Sequence, residues 1–162
     1  SIMKVSVYLN FRNGLCREAF NFYKSVFGKE IGFAMTWGDA GPKSGYKIDT
    51  DADKEKIMHM EMALNDHVKL MGADVPDEVT VEHVTKKQKT EGSPTSSEAL
   101  LDLDSEKEVD KLYEALKEGG EVSMPLAHQF WGDYYGNVVD KYGFSWALNY
   151  SPPKENSEEA AK

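Results

Sequence analysis

A histidine and a glutamate two positions apart have the residue types and spacing that acid–base chemistry needs. His59 and Glu61 lie in a segment that alternates between two sets of side chains, and a period of two predicts a β-strand. Both side chains then lie on one face of that strand. Tyr8 falls on the polar face of another predicted strand, so the three could form a proton-transfer group. Alternatively, His59 is a hydrogen-bonded histidine of a ligand pocket or a dimer interface.

Two carboxylates also share a predicted strand face. Glu98 and Asp102 are four positions apart on a later strand, and an even spacing places both side chains on one side. As a pair they could hold a cation or the amine of a ligand. The alternative is a solvated strand edge, and the pattern leaves both interpretations open.

An aromatic cluster falls in a predicted loop and at the start of the strand that follows it. Its members are Phe130, Trp131, Tyr134 and Tyr135. Aromatic side chains of this kind can stack on a flat ligand. They can equally belong to the core or to a contact between subunits.

The chain has one cysteine, which excludes an intramolecular disulfide and a zinc site built on several thiolates. Cys16 falls at the start of a predicted helix, where the helix N-terminus can lower the pKa of a thiol. No partner base is evident, so we interpret Cys16 as a small buried hydrophobic residue. His67 and His83 are predicted to lie at the surface, and His128 precedes the aromatic cluster.

The charge balance argues against nucleic acid as a partner. Among 162 residues, 28 are acidic and 19 are basic, which gives a formal net charge of −9. Nucleic-acid recognition needs a basic surface, and the one dense basic run, residues 86–89, falls in a predicted loop. The sequence has no apolar run of membrane-spanning length and no signal-peptide pattern. A single cysteine suits a reducing cytoplasm, where we expect the protein to act.

The elements that must position these residues follow one order twice. Each half has an alternating strand, an amphipathic helix that ends at glycine, and three more strands. In the first half, strands are predicted at residues 4–11, 31–37, 56–64 and 67–73, and a helix at residues 15–27. In the second half, strands are predicted at residues 98–104, 121–126, 134–140 and 144–150, and a helix at residues 106–117. The sequence therefore predicts an α+β fold of two β-α-β-β-β modules, an internal structural repeat.

Polar segments separate these elements. Residues 38–56 are predicted to form a long mobile loop, and residues 75–97 a linker with room for one short strand at residues 79–84. Residues 151–162 are predicted to form a disordered acidic tail. We thus expect one domain over residues 1–150, with module one at about residues 4–74 and module two at about residues 98–150.

The two predicted helices each have one apolar face, so both should cover the same side of the sheets. The opposite side carries polar residues, namely Ser6, Tyr8, Asn10, His59, Glu61, Glu98 and Asp102. Polar side chains on the helix-free face of a curved sheet would line a cavity. We therefore expect curved mixed sheets around a cavity.

A series of short segments matches one known pattern. They are YLNF at residues 8–11, CREAF at 16–20, FYKSVFG at 22–28, IMH at 57–59, LMGAD at 70–74, MPL at 124–126 and FWG at 130–132. Taken together, they resemble the PhnB-like branch of the glyoxalase/bleomycin resistance/dioxygenase (vicinal oxygen chelate) superfamily. The resemblance covers residues 5–150. It implies paired modules whose sheets curl around a shared pocket, a homodimer, and a place near the pocket rim for the aromatic cluster of Phe130, Trp131, Tyr134 and Tyr135.

Metal-dependent relatives, as the resemblance implies, place a ligand on the first and the last strand of each module. Carried over by position, these four ligands fall at Ser6, Met71, Glu98 and Ala147. Of these side chains, the Glu98 carboxylate alone could bind a metal, whereas zinc or a similar ion needs about three protein ligands. Under a shifted alignment, the nearest replacements are Asp74 and Asn149.

We therefore expect a metal-independent homodimer that binds a small, partly aromatic or cationic molecule and uses no cofactor. The predicted pocket residues are Tyr8, His59, Glu61, Glu98, Asp102, Trp131 and Tyr135. One alternative is a metal-dependent vicinal-oxygen-chelate enzyme, which would be a lyase, an isomerase or a dioxygenase. Another is a structural or regulatory dimer without a ligand. Whether the protein is an enzyme stays open, and no catalytic residue or metal ligand is predicted.

Overall fold

A computed structural model of the chain describes residues 4–76 and 97–153. It divides into two compact units, Ser1–Ser96 and Ser97–Lys162. Each unit contains one open four-stranded mixed sheet and one long helix. This confirms the predicted α+β class and the two repeated modules.

The first unit begins with strand β1 (Val7–Phe11) and helix α1 (Cys16–Phe27). Three further strands follow: β2 (Ile31–Thr36), β3 (Ile57–Ala63) and β4 (Lys69–Asp74). The strand order is β1-β4-β3-β2; β1 runs parallel to β4, and the other two pairs are antiparallel. The first and last strands of the module therefore lie side by side.

The second unit repeats this arrangement. Its elements are β5 (Ala99–Asp102), helix α4 (Glu106–Lys117), β6 (Glu121–His128), β7 (Tyr134–Val139) and β8 (Ser145–Tyr150). The strand order is β5-β8-β7-β6, again with one parallel pair, β5 and β8. The edge strand β6 contains Pro125 and changes its register with β7 on both sides of Met124.

The predicted loop at residues 38–56 is wrong in one respect, because much of it is helical. It contains α2 (Trp37–Ala40), a 3₁₀ helix (Gly41–Ser44) and α3 (Asp51–Glu55). Thr36 begins α2 and Thr50 begins α3, and each hydroxyl accepts a hydrogen bond from a backbone N–H three residues on. Such caps stabilise a first helical turn, which explains why these short helices form.

The end of α1 and the start of α4 lie where the sequence predicts them. Gly28 closes α1 in the left-handed conformation, with a φ of 62° that glycine adopts without steric cost. Ser105 caps α4 by accepting from the Glu108 N–H at 3.3 Å, while the Glu108 carboxylate accepts from the backbone N–H of Asp104 at 3.2 Å. The start of α1 differs from the prediction, because the helix begins at Cys16, and Leu15, where it was predicted to begin, is 38% exposed.

Each helix lies close to a glycine on the sheet beneath it. A Cβ atom added at Gly72 of β4 would lie 2.5 Å from Cε2 of Phe20, and one at Gly136 of β7 would lie 3.1 Å from Cε2 of Tyr113. The Phe20 ring therefore occupies the space that a side chain at Gly72 would fill. At Gly136 the Leu126 backbone, 2.8 Å from the added Cβ, fills that space together with the Tyr113 ring. Leu9, Met60 and Leu70 are among the buried residues of the first unit. The opposite sheet faces carry the polar side chains, as the alternation predicts.

Three predictions concern residues outside the described ranges. They are the short strand at residues 79–84 with His83, most of the linker, and the tail beyond residue 153. At the N-terminal end, β1 begins at Val7 and not at Lys4, and Val5 is 71% exposed. Within the described residues, no helix has both the length and the apolar character that crossing a membrane requires.

Candidate functional site

Four side chains form a chain of hydrogen bonds on the helix-free face of module one. The Tyr8 hydroxyl lies 3.0 Å from Nδ1 of His59, and Nε2 of His59 lies 3.0 Å from Oε1 of Glu61. The Nζ atom of Lys69 then lies 2.6 Å from Oε2 of Glu61. The structure thus brings together the three predicted residues of this module and adds Lys69.

Strand register explains why these residues meet. Tyr8 of β1 pairs with Met71 of β4, and Met71 in turn pairs with Glu61 of β3. Residues directly opposite each other on neighbouring strands lie on the same face. Because His59 precedes Glu61 by two positions, it lies on that face as well.

The hydrogen-bond chain has a defined polarity. A carboxylate can only accept, so Nε2 of His59 carries the hydrogen that points to Glu61. In the neutral imidazole, Nδ1 is then an acceptor, and the Tyr8 hydroxyl donates to it. Glu61 therefore selects the tautomer of His59 and orients the ring toward Tyr8.

The charges of the cluster affect its ionisation. The hydrogen bond from His59, followed by that from Lys69, lowers the pKa of the Glu61 carboxyl. Partial burial raises the pKa of the Tyr8 hydroxyl, and the nearby charge of Glu61 adds to this effect. Near neutral pH the glutamate is thus an anion and the tyrosine keeps its proton.

Aromatic rings border this polar chain. The Tyr8 ring stacks on the His59 ring with 5.7 Å between their centroids. The Phe33 ring, from β2, has its centroid 6.0 Å from that of the His59 ring. Tyr8 is 45% and Phe33 is 46% exposed, so both rings present an apolar surface beside the polar atoms. We call Tyr8, Phe33, His59, Glu61 and Lys69 the module-one cluster.

Module two carries a second polar cluster in an equivalent place, on the face opposite α4. Nδ2 of Asn137 donates to Oε2 of Glu98 at 2.6 Å and to the Tyr135 hydroxyl at 3.2 Å. The Ser145 hydroxyl donates to the same Glu98 oxygen at 3.3 Å. Because Tyr135 accepts here, its own hydrogen remains to be donated, which is the reverse of the situation at Tyr8. We call Glu98, Tyr135, Asn137 and Ser145 the module-two cluster.

Glu98 and Asp102 share a face but do not act as one pair. Four residues along a strand span about 13 Å, which is too far for two carboxylates to bind the same cation. Asp102 instead accepts a hydrogen bond from Nδ2 of Asn149 at 2.9 Å. Oδ1 of Asn149 is buried and has no hydrogen-bond partner among the described residues.

The predicted aromatic cluster divides between the two faces of the second sheet. Phe130 and Trp131 pack edge to face at 5.0 Å, and Trp131 contacts the Tyr135 ring at 5.8 Å, so these three stay together beside the module-two cluster. Tyr134 points to the other face, where its hydroxyl donates to Asp110 of α4 at 2.7 Å. That hydrogen bond, with some burial, raises the pKa of Tyr134 to about 12.

Comparison with known proteins identifies the family once this geometry is seen. A model of the Glyoxalase/Bleomycin resistance protein/Dioxygenase superfamily matches residues 7–148. The chain belongs to this superfamily. Protein YjdN of Escherichia coli (strain K12) is 25% identical to it over 149 residues, which cover 91% of this chain and 95% of that protein.

Two solved structures support the PhnB-like branch of the superfamily. Protein PA1353 from Pseudomonas aeruginosa is 29% identical, with a TM-score of 0.70 over 93% of this chain and 98% of its own. The PhnB protein from Bacillus cereus is 26% identical, with a TM-score of 0.65 over 92% of this chain and 100% of its own.

The positions that correspond to the metal ligands of the superfamily do not carry a metal-binding set here. Met71 lies on β4 and Ala147 lies on β8, the last strand of each module, whereas Ser6 and Glu98 each lie one residue before the first strand of their module. Glu98 is the one carboxylate among them. In residues 4–76 and 97–153, no three His, Cys, Asp or Glu side chains come together in a way that could hold a metal ion.

Asp74, the neighbour that a shifted alignment would supply, has a structural role. Its carboxylate accepts from the Cys16 N–H at 2.9 Å, which caps the start of α1, and from the Ile57 N–H at 2.8 Å. Its carbonyl oxygen accepts from the Trp37 indole at 3.0 Å. Asp74 thus connects two helices, α1 and α2, with strand β3 within module one.

Cys16 is fully buried, in agreement with its interpretation as a small hydrophobic residue. Burial, together with the nearby charge of Asp74, raises the pKa of its thiol well above the ordinary value. The position at a helix N-terminus therefore does not activate this cysteine, because desolvation has the larger effect.

A cavity of about 170 Å³ lies elsewhere in module one. Its lining residues come from the helical segment after β2 and from the end of the module: Trp37, Tyr46, Lys47, Ile48, Asp49, Asp53, Lys56 and Pro76. These are not the predicted pocket residues. We give more weight to the two sheet-face clusters, because they combine titratable groups, mutual hydrogen bonds and exposed rings.

Sequence reasoning missed Phe33, Lys69, Asn137 and Ser145 as members of the clusters. All four lie on predicted strands, and alternation along each strand predicts the face on which each side chain lies. What brings them to the clusters is strand pairing, such as Phe33 with Glu61 and Asn137 with Ala147. A single sequence does not contain that register.

Proposed function

We propose that this protein is a metal-independent, cytoplasmic homodimer that binds a small molecule. The observation that carries the proposal is the module-one cluster, a hydrogen-bonded set of titratable side chains flanked by exposed aromatic rings on an open sheet face. A few convergent polar groups beside apolar surface are typical of ligand sites. The module-two cluster repeats the combination with Trp131 and Tyr135.

The residues favour binding without a metal. Both ring nitrogens of His59 already lie at hydrogen-bonding distance from Tyr8 and Glu61, so metal coordination would have to displace one of these contacts. At the superfamily's ligand positions, serine, methionine and alanine accompany Glu98. No step of the proposed function uses a metal.

Thermal melting of the purified protein tests the proposal. We expect a library of small aromatic amines, alcohols and acids to contain compounds that raise the melting temperature, because a ligand that binds the folded state stabilises it by mass action. Substitution H59A should reduce the shift, whereas H67A, at an exposed turn histidine, should leave it unchanged. A library without any stabilising compound would argue against the proposal.

The same melting assay with zinc, nickel, iron and manganese tests the metal-dependent alternative. We expect no increase with any of these ions and no stoichiometric metal by plasma mass spectrometry. A clear increase with one ion that disappears in E98Q would replace our proposal with a metal-dependent enzyme of the superfamily.

A further inference from the structure

The module-one cluster leaves one acceptor at the point where a ligand would meet it. The hydrogen of the Tyr8 hydroxyl is directed to Nδ1 of His59, so the Tyr8 oxygen has a lone pair that none of the described hydrogen bonds uses. Tyr8 is 45% exposed, which makes this lone pair accessible. A ligand group that meets the Tyr8 oxygen must therefore donate a hydrogen bond.

The surroundings of Tyr8 indicate what kind of donor fits. The Phe33 ring is 46% exposed and lies on the other side of His59 from Tyr8, so a flat ring can lie on apolar surface while its polar group reaches the tyrosine. Lys69 neutralises the charge of Glu61 at 2.6 Å, so the cluster as a whole does not select a cation. An aromatic hydroxyl meets both requirements.

We propose that Tyr8, His59 and Glu61 form a base relay that takes the proton from the hydroxyl group of a phenol-like ligand. The inference rests on the proposed function, because it assigns a ligand class and a proton-transfer activity to the same site. Tyr8 contacts the ligand, His59 receives the proton, and Glu61 is a positioning residue.

The proton step is balanced within the site. The ligand O–H bond breaks and its proton bonds to the Tyr8 oxygen, while the original Tyr8 proton moves to Nδ1 of His59. The products are a phenolate and an imidazolium, and the Glu61 carboxylate at 3.0 Å from Nε2 stabilises the imidazolium. Return of the proton to oxygen or to a ring carbon restores the site, so no oxidant or further reactant is needed.

The groups around His59 set the pH dependence. Among the described residues, the titratable or charged neighbours are Tyr8 from β1 and Glu61 on its own strand, with Lys69 of β4 reaching it through Glu61. β2 contributes Phe33 and Met35, which carry no charge. Once His59 is protonated, both ring nitrogens donate and the relay cannot take up another proton. The ionised fraction of a bound phenol should therefore fall at low pH.

The experiment uses 4-nitrophenol, whose absorption differs between phenol and phenolate, and 4-nitroanisole, which lacks the hydroxyl hydrogen. Calorimetry measures binding, and absorbance measures ionisation of the bound probe. We expect 4-nitrophenol to bind about five- to tenfold more tightly than 4-nitroanisole, the effect of one hydrogen bond. The bound probe should stay ionised at a lower pH than the free probe.

Variants separate the roles. Y8F should weaken 4-nitrophenol binding about five- to tenfold and abolish the difference in ionisation between bound and free probe. E61Q should retain binding within about twofold, the size of a minor hydrogen-bond change, but shift the pH of ionisation toward that of the free probe. Y46F is the matched control, because Tyr46 is an exposed tyrosine of the same module that lines the separate cavity. Circular dichroism confirms that each variant is folded.

Several results would overturn the relay. They are equal binding of the two probes, a bound probe that ionises like the free one, and an E61Q profile identical to that of the wild type. Loss of binding in Y46F but not in Y8F would place the probe in the other cavity and also reject the relay. None of these results affects the melting screen, so failure of the relay and failure of the proposed binding function are distinguishable.

Discussion

Two buried carboxylates, those of Asp74 and Asp140, connect neighbouring elements of the fold. Asp74 is 1% and Asp140 is 3% exposed, and each accepts from backbone N–H groups of the turn or helix beside it. Asp140 also accepts from the Trp146 indole at 2.8 Å. Charged acceptors of this kind are retained because they satisfy donors that would otherwise be buried without partners.

The Cys16 thiol should be unreactive in the folded protein. Its raised pKa means that the folded state keeps the proton, whereas the unfolded chain ionises near the ordinary value of 9.0. Because the folded state then binds more protons, stability should fall as the pH rises above that value. We expect an aromatic disulfide reagent to label Cys16 at pH 8 no faster than the protein unfolds.

Denaturant supplies the control for this measurement, because the single thiol of the unfolded chain should react rapidly and with one equivalent. Rapid labelling of the native protein would instead show that α1 opens often or that the thiol is accessible.

The residues of the two clusters show what a single sequence can predict at this scale. Alternation placed His59 and Glu61 on one face of their strand and Tyr8 on the polar face of another strand, and the structure joins the three by direct contacts. Glu98, in contrast, accepts from Asn137, which lies 39 positions away, and no local pattern of the sequence connects these two residues. The face of a strand on which a side chain lies follows from its position along that strand, whereas its cross-strand partner depends on the register between strands.

At the scale of secondary-structure elements, the regular patterns were predictable and the short helices were not. The long helices and all eight strands followed from periodicity, because burial of one face determines both patterns. The short helices α2 and α3 were missed although Thr36 and Asp39, and Thr50 and Asp53, have the spacing of a capping box. The many glycines and charged residues of this segment favour a loop, and the prediction followed them.

Packing of α1 on β4 gives a prediction at the element scale. G72A should destabilise the protein by about 1–3 kcal/mol, because its Cβ would lie 2.5 Å from the Phe20 ring and 3.2 Å from Sγ of Cys16 in a close-packed core. Chemical denaturation measures this difference in the free energy of unfolding.

Gly32 provides the matched control on the same sheet. A Cβ there would meet the Glu61 carbonyl oxygen at 3.9 Å, an ordinary contact. We expect G32A to change stability by less than about 0.5 kcal/mol, as surface substitutions do. Equal effects of the two substitutions would contradict the proposed role of close helix packing.

For the whole molecule, the resemblance to the superfamily supplied what periodicity could not. The repeated modules were predicted from the order of elements, and the family match over residues 7–148 confirms the fold that the resemblance implied. The ligand class did not follow from either source, because members of one fold host many chemistries. It had to be argued from the atoms of the module-one cluster.

Assembly is the prediction that belongs to the whole molecule. We expect sedimentation equilibrium to give twice the mass of one chain at micromolar concentration, with the melting temperature rising with protein concentration, as mass action requires for a dimer. The acidic charge of −9 should make the association stronger at higher salt. A single-chain mass across the concentration range would contradict the homodimer.

The edge strand β6 has a consequence for how the second sheet could grow. Pro125 has no backbone N–H to offer, and the register changes around Met124 bend the ladder, so an added strand would find an irregular template. The edge strand β2 of the first sheet has neither proline nor a charged side chain. Aberrant strand addition, the first step of aggregation, should therefore begin at β2 more readily than at β6, and Ala34→Lys would place a charge on this unprotected edge.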